Sequence, residues 1–453
     1  MTDRPVSDPT TVPRRPAAVA LVVLVIALGV LVAVITPWHP VPRAPGGAVP
    51  VDIHRDFTPA EISREVAYHR WLWSAVLGGT AATLVVTLLL GFTRAGARVA
   101  EFVARPFGGR RWAQLVLGTV AITAAGQLAL LPFDMWREHL MRGQGIVIES
   151  WSVYATDFAT SYAFGLVGTL IGLAVFYALA RRVRQWWALG AVLAAGAVAV
   201  ISFAYPIVVA PAFNHFRPMP TGALRDSLLA LAKSDHVAVS GVEIADQSTK
   251  STAINAYVAG IGSSRRIVVY DTTLRLLTPA QVRSIVAHEL GHAKRNDVAW
   301  GTAEAALGAG AAMCALFLLL RSRRVRRRAG ITDAGDPRSL ALVLAVLAAL
   351  GALSTPAELY LTRRIEARAD IHALELTRDP ATLISLQQLI SVNNDADLDP
   401  PWPEVWFHGD HPTGPQRIAN ARTWAKAHGV PDTAPAGAGS AGTASTDPTP
   451  GPS

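Results

Sequence analysis

Residues 286–297 read VAHELGHAKRND, and three of their side chains can do chemistry together. His288 and His292 are four positions apart, so on a helix they share a face and can bind one metal ion. Glu289 projects about 100° from His288 and can take a proton from a water molecule that attacks a carbonyl group. Gly291 costs a helix about 1 kcal/mol relative to alanine, which indicates that another group approaches it closely. The pattern alone also fits an ordinary helix with solvated polar residues.

A third metal ligand must come from another segment, and LTRRIEARADIHALEL, residues 361–376, offers two carboxylates four positions apart. On a helix, one of Glu366 and Asp370 can bind the metal while the other hydrogen-bonds a ligand histidine. Glu358 and His372 are weaker candidates, because Glu358 lies near the membrane end of an apolar stretch and His372 points about 240° away from Glu366. The acids could instead pair only with arginines of their own helix.

The elements around these residues are also readable from the sequence. TGALRDSLLALAKS has helical periodicity, and GVEIAD, AINAYVAG and RRIVVYD are short β-prone runs between turn-forming residues. The helix with the two histidines is predicted to begin at an N-cap, Thr278, followed by a proline in its first position.

The composition indicates a membrane protein. Hydrophobic residues make up 51% of the chain and charged residues 16%, and the mean hydropathy is +0.32. Seven stretches are long and apolar enough to span a bilayer, near 17–36, 71–92, 112–132, 158–180, 187–210, 299–320 and 338–360. The first could be a cleaved signal peptide, but no convincing cleavage site follows it, which favours an anchor. The stretches are nearly free of charge, which argues against a transporter or receptor.

The net charge of +8 and the pI near 10 do not predict a nucleic-acid partner, because the arginines crowd at the ends of apolar runs. That placement is typical of topology control. Cys314 is the only cysteine, so an internal disulfide, a thiolate zinc site and an iron–sulfur cluster are excluded.

The order of NAY, HELGH, R-x-x-E-x-x-x-D and a late HP followed by an arginine resembles the type I CAAX prenyl endopeptidases. That zinc-metallopeptidase family includes the heat-shock membrane protease HtpX, and the motifs cover roughly residues 220–425. The resemblance implies a mainly α fold: a polytopic bundle of about seven membrane helices with a gluzincin-type protease domain that carries a small β-sheet.

The resemblance also implies one zinc ion per chain and a role for ten residues. These roles are metal ligand for His288, His292 and Glu366, general base for Glu289, orientation of a ligand histidine for Asp370, stabilisation of the oxyanion for His411, and substrate binding for Asn255, Ala256, Tyr257 and Arg417. The NAY residues would lie on an edge strand that pairs with an extended substrate.

The function predicted is an integral-membrane zinc endopeptidase that cleaves membrane or membrane-associated polypeptides. A true prenyl-CAAX protease is one alternative. Leu359 and Thr362 stand where that family has Asn and Ser, and the composition, with only four lysines, indicates a bacterial source, where prenylated CAAX proteins are generally lacking. A catalytically silent scaffold of the same fold is a second alternative, but it would have lost Glu289 or a ligand, and all are present.

The predicted organisation follows from these segments, and the oligomeric state stays open. It comprises an N-terminal tail (1–16), five membrane helices (17–211), a protease segment with the edge strand and the HExxH helix (212–298), two membrane helices (299–360), a protease segment with the third ligand (361–430) and a disordered tail (431–453). With all seven stretches spanning the cell membrane, 18 Lys and Arg lie in inside segments and 6 in outside loops. That asymmetry predicts an extracytoplasmic active site, whereas the family resemblance points to the cytosolic side.

Overall fold

The computed structural model describes residues 13–433 and consists mainly of α-helices. The α-helices are α1 (Arg14–Ile35), α2 (Ile53–Asp56), α3 (Pro59–Phe92), α4 (Arg94–Ala104), α5 (Arg111–Gly143), α6 (Trp151–Arg182), α7 (Trp186–Ala204), α8 (Ala223–Ser234), α9 (Asp271–Leu276), α10 (Pro279–Arg295), α11 (Asp297–Leu320), α12 (Arg323–Ala329), α13 (Leu340–Thr377), α14 (Pro380–Asn393), α15 (Trp402–Phe407) and α16 (Gly414–His428). The strands are β1 (Phe216–Pro218), β2 (Gly241–Ala245), β3 (Ala256–Ala259) and β4 (Arg266–Tyr270). Residues 1–12 of the predicted N-terminal tail and 434–453 of the predicted disordered tail lie outside the described residues.

Seven helices within residues 13–433 are long and apolar enough to cross a membrane: α1, α3, α5, α6, α7, α11 and α13 with its preceding turn. The predicted seven spans are therefore confirmed. Because α3 has 34 residues and α13 has 38, both exceed the roughly 20 residues that a bilayer needs. The predicted boundary at 360/361 falls inside α13, which continues from its apolar part into the segment that carries Glu366.

Small residues such as alanine and glycine are frequent in the membrane helices. They let these helices pack closely. A Cβ atom on Gly91 of α3 would lie 2.6 Å from the carbonyl oxygen of Ala341 on α13. A larger residue at Gly91 would therefore push these two helices apart.

The four strands form one sheet in the order β1-β2-β4-β3. β2 and β4 are parallel, while β1 and β3 pair antiparallel with β2 and β4 respectively. The three predicted β-prone runs became β2, β3 and β4. β1 was not predicted, because its short FRP sequence has no alternating pattern.

The ends of α10 position the two histidines. Thr278 accepts a hydrogen bond from the backbone N–H of Gln281, and Pro279 occupies the first turn, which confirms the predicted start. At the other end, Asn296 adopts the left-handed conformation (φ +56°), which asparagine tolerates better than most residues. The chain turns sharply there, so Asp297 at the start of α11 lies back against α10.

Candidate metal centre

Three side chains from two helices converge with their donor atoms at nearly equal separations. The Nε2 atoms of His288 and His292 are 3.1 Å apart, and the two Glu366 oxygens lie 3.1 Å and 3.4 Å from them. Ligands of a tetrahedral zinc ion, each about 2.0–2.1 Å from the metal, are about 3.3 Å from one another. The donor types and their separations therefore fit a zinc ion.

The ring nitrogen of His288 that faces away from the other ligands forms a hydrogen bond with Asp370, and Asp370 is in turn bound by Arg417. Its Nδ1 donates to Asp370 at 2.9 Å, and Asp370 accepts two hydrogen bonds from Arg417. Asp370 is 1% exposed, so its charge depends on this partner. A proton fixed on Nδ1 leaves the lone pair of Nε2 free for a metal.

His292 has the same arrangement with different residues. Its Nδ1 donates to Asp297 at 2.9 Å, and Arg368 donates to the other oxygen of Asp297. Burial alone would lower the pKa of His292, but its hydrogen bonds with Asp297 and Glu366 raise that pKa to about 10. The centre thus strongly stabilises positive charge, which also favours a bound cation.

Sequence reasoning missed Asp297 and Arg368. Asp297 closes the stretch VAHELGHAKRND, but its contact with His292 depends on the left-handed turn at Asn296. A signal was present, because a carboxylate that holds a ligand histidine is usual at zinc sites.

Glu289 lies beside the two histidines and outside the set of three converging ligands. Its Oε1 is 4.0 Å from Nε2 of His288, and the ligand atoms of His288, Glu289 and His292 all lie within 4.8 Å of one another. Burial raises the pKa of Glu289, although the two histidines act in the opposite direction. A partly buried carboxylate of raised pKa next to a metal site is suited to proton transfer.

His411 reaches the centre from the loop between α15 and α16. Its Nε2 is 3.1 Å from Glu366, its Nδ1 bonds Asp410 at 2.9 Å, and its side chain is half exposed. Arg363 donates to the carbonyl groups of Val405 and Gly409 and so fixes this loop on α13.

The two weaker candidates for the third ligand, His372 and Glu358, do not lie with the three converging side chains. His372 donates to Asp235 at 2.9 Å, and its ring packs against Gly291, where an added Cβ would lie 3.0 Å from it. The close approach that Gly291 indicated is therefore made by His372. Glu358 precedes Glu366 on α13 by eight residues, or about 12 Å along the helix.

The predicted substrate-binding residues divide into two groups. Ala256 and Tyr257 lie on β3, an edge strand of the sheet, and Asn255 directly precedes that strand. Asn255 lines a cavity of about 500 Å³ together with His288, Glu289 and His411. Arg417 also borders this cavity, and its guanidinium donates two hydrogen bonds to Asp370.

Comparison with known proteins agrees with this geometry. Residues 218–425 match the model for peptidase family M48, and residues 43–215 match the model described as CAAX prenyl protease N-terminal, five membrane helices. Residues 218–425 therefore form a protease domain of peptidase family M48, preceded by membrane helices of the CAAX prenyl protease type. The chain is a membrane metallopeptidase, which confirms the predicted class of enzyme and the predicted family resemblance.

One bacterial relative, one plant relative and one solved structure illustrate the similarity. An uncharacterized metalloprotease, YhfN of Bacillus subtilis, is 27% identical over 69% of this chain and 74% of its own length. A CAAX prenyl protease 1 homolog of Oryza sativa is 31% identical over 48% of this chain, so the chain matches about half (51%) of that relative. The crystal structure of S. mikatae Ste24p superposes with a TM-score of 0.72 over 91% of this chain and 99% of that one, at 17% identity. That likeness shows the fold.

Proposed function

We propose that this chain is a zinc-dependent endopeptidase whose metal is held by His288, His292 and Glu366. The observation that carries the proposal is the set of donor separations of 3.1–3.4 Å among these side chains. A zinc ion held there would polarise the scissile carbonyl group and lower the pKa of a water molecule towards about 7. The joint measurement of bound zinc and casein cleavage in ligand variants tests the proposal, because a zinc peptidase loses both together.

The residues of the chain supply the remaining chemistry. Glu289 takes the proton of the attacking water and passes it to the leaving amine. His411, half exposed at the rim, donates a hydrogen bond to the oxyanion that forms as the water attacks. Asp370 and Asp297 keep the two histidines in the tautomer that presents Nε2 to the metal.

We infer that the free edge of β3 holds the substrate in an extended conformation. The carbonyl group of Asn255 accepts from the N–H of Tyr270, so it faces β4. Backbone groups alternate along an antiparallel strand, and the N–H and C=O of Val258 therefore face away from β4. Asn255, which directly precedes β3, lines the same cavity as Glu289.

Val258→Pro is expected to raise KM for casein about tenfold, because it removes an N–H that a substrate strand would use while the ladder with β4 keeps its bonds. The matched control is Val258→Ala, which shortens the side chain and keeps the N–H. Steady-state cleavage rates over a range of casein concentrations give the result. Equal KM values for the two variants would contradict the proposal that the substrate pairs with β3.

The proposed substrates are membrane or membrane-associated polypeptides, because the site lies at the ends of two membrane helices, α3 and α13. The plant relative's name favours prenylated CAAX proteins as the second candidate. Cells that express Glu289→Gln protein distinguish them, since the membrane polypeptides that accumulate uncleaved identify the substrates. Accumulation of prenylated proteins alone would favour the second candidate.

We propose that the site faces the extracytoplasmic side of the cell membrane. The segment before α3, which includes α2, contacts the protease domain, since Val49 bonds Thr423 and Asp56 bonds Arg422. The arginine-rich segments meet one another instead, through contacts such as Arg338 with Glu101. The site thus lies with the arginine-poor loops, which the positive-inside rule places outside.

Labelling with a membrane-impermeant maleimide tests this orientation. In a Cys314→Ala background, Ala48→Cys on the loop before α3 is expected to react in intact cells. Gln185→Cys, in an arginine-rich segment, should react only after permeabilisation. The reverse pattern would place the active site in the cytosol.

A further inference from the structure

The cavity that contains Glu289 has a second side that is rich in carboxyl groups. Asp395 and Asp397, which follow α14, and Glu404 of α15 line the cavity there and form what we call the acidic wall. His69 of α3 lines the cavity beside them. Glu404 is 7% exposed, His69 is 4% exposed, and the side chain of Asp397 is 7% exposed. The acidic wall is therefore part of the substrate cavity and is shielded from bulk solvent.

Basic side chains of the chain itself do not neutralise the acidic wall. The two arginines that line the cavity are bound to other groups, since Arg363 donates to two backbone carbonyl groups and Arg417 donates to Asp370. In the described part of the chain, neither Asp397 nor Glu404 forms an ion pair with a lysine or an arginine. A ligand that carries positive charge would therefore be attracted to this side of the cavity.

The two carboxyl groups of Asp397 and Glu404 lie close enough to interact. Burial, repulsion by Asp397 and a hydrogen bond with Asp397 together raise the pKa of Glu404 to about 10. At neutral pH, Glu404 therefore holds a proton and the pair carries one negative charge. A cation bound beside the pair would favour release of that proton to the solvent.

His69 presents an unused hydrogen-bond acceptor next to Asp397. Its Nε2 donates to the carbonyl oxygen of Asp395 at 2.7 Å, so Nδ1 of the neutral ring has a lone pair. This Nδ1 receives no hydrogen bond from any described residue, and it lies 3.8 Å from Oδ2 of Asp397. Oε2 of Glu404 likewise receives none among residues 13–433. Because buried acceptors without donors cost free energy, this side of the cavity suits a ligand that donates hydrogen bonds.

The acidic wall is also joined to the proposed substrate strand. Asn394, directly before Asp395, bonds both the N–H and the C=O of Ile254, two residues before β3. A peptide that pairs with β3 would therefore pass close to the acidic wall.

We infer that the acidic wall and His69 bind the side chain of a lysine or arginine in the substrate and so select basic polypeptides. This inference rests on the proposed endopeptidase function. Ammonium and guanidinium groups carry positive charge and only hydrogen-bond donors. A nitrogen about 2.9 Å from each acceptor fits between Nδ1 of His69 and Asp397, which are 3.8 Å apart. A neutral side chain of the same length would leave these acceptors unpaired and would bind less well.

Peptide cleavage by the full chain in detergent tests this inference. A peptide is made from a casein segment that wild type cleaves, and each residue on both sides of the cleaved bond is replaced in turn by lysine or by uncharged norleucine. At one position, wild type is expected to favour lysine over norleucine by about 10–100-fold in kcat/KM. Asp397→Asn and Glu404→Gln should each bring the two values close together. Asp399→Asn, which changes an exposed neighbouring acid, is the matched control and should keep the wild-type preference.

The ratio of the two rates within one preparation does not depend on how much of a variant folds. Equal cleavage of lysine and norleucine peptides at every position would overturn this inference and leave the proposed peptidase function intact. A lysine preference that persists unchanged in both Asp397→Asn and Glu404→Gln would also overturn it. If wild type cleaves no casein segment at all, the proposed function fails and this inference fails with it.

Discussion

Glu289→Gln is expected to reduce casein cleavage by about 10²–10⁴-fold, the usual contribution of a positioned general base. Glutamine keeps the size of the side chain but cannot accept the proton of the attacking water. His288, His292 and Glu366 are unchanged in this variant, so its zinc content should equal that of wild type. Initial cleavage rates and bound zinc, measured on the same preparations, give both quantities.

Glu358→Gln is the matched control for this result. It makes the same chemical change on α13, about 12 Å along the helix from Glu366, and should leave the rate unchanged. A Glu289→Gln protein that cleaves casein as fast as wild type would show that another group activates the water.

Arg417→Ala is expected to destabilise the protein by about 3–5 kcal/mol, because it leaves the buried charge of Asp370 without its partner. Zinc affinity should also fall by about 10–100-fold, since Asp370 then holds His288 less firmly. Thermal unfolding in detergent reports the first effect, and zinc titration of the stripped protein reports the second.

Arg283→Ala is the control for the arginine variant, because Arg283 lies exposed on α10, the same helix as His288. It should change neither the unfolding temperature nor the zinc affinity appreciably. If Arg417→Ala behaved like Arg283→Ala, the pair of Arg417 and Asp370 would have no structural role at the centre.

Periodic features of the sequence were enough to predict much of the fold. The apolar stretches predicted the seven spans because length and composition alone decide whether a helix can cross a bilayer. Contacts with neighbouring helices are not needed for that prediction. The N-cap at Thr278 and the strands β2, β3 and β4 depend on local residues alone. The bounds of the spans were less accurate, since α13 continues past the bilayer and nothing in its local sequence ends it at residue 360.

The metal centre was predictable where helix spacing decides the geometry. His288 and His292, four apart, and Glu366 and Asp370, four apart, each share a face of one helix. The partners of Asp297, Arg368 and Arg417 were not predictable, because those contacts depend on how α11, α13 and α16 pack around α10.

The central claim is that one zinc ion at His288, His292 and Glu366 carries the peptidase activity. Bound zinc, measured in wild type, His292→Ala and Glu366→Ala protein with casein cleavage alongside, tests it most directly. Each variant is expected to lose one zinc ion per chain relative to wild type, together with all cleavage. Zinc retained at the wild-type level in Glu366→Ala, or cleavage that persists when that zinc is gone, would contradict it.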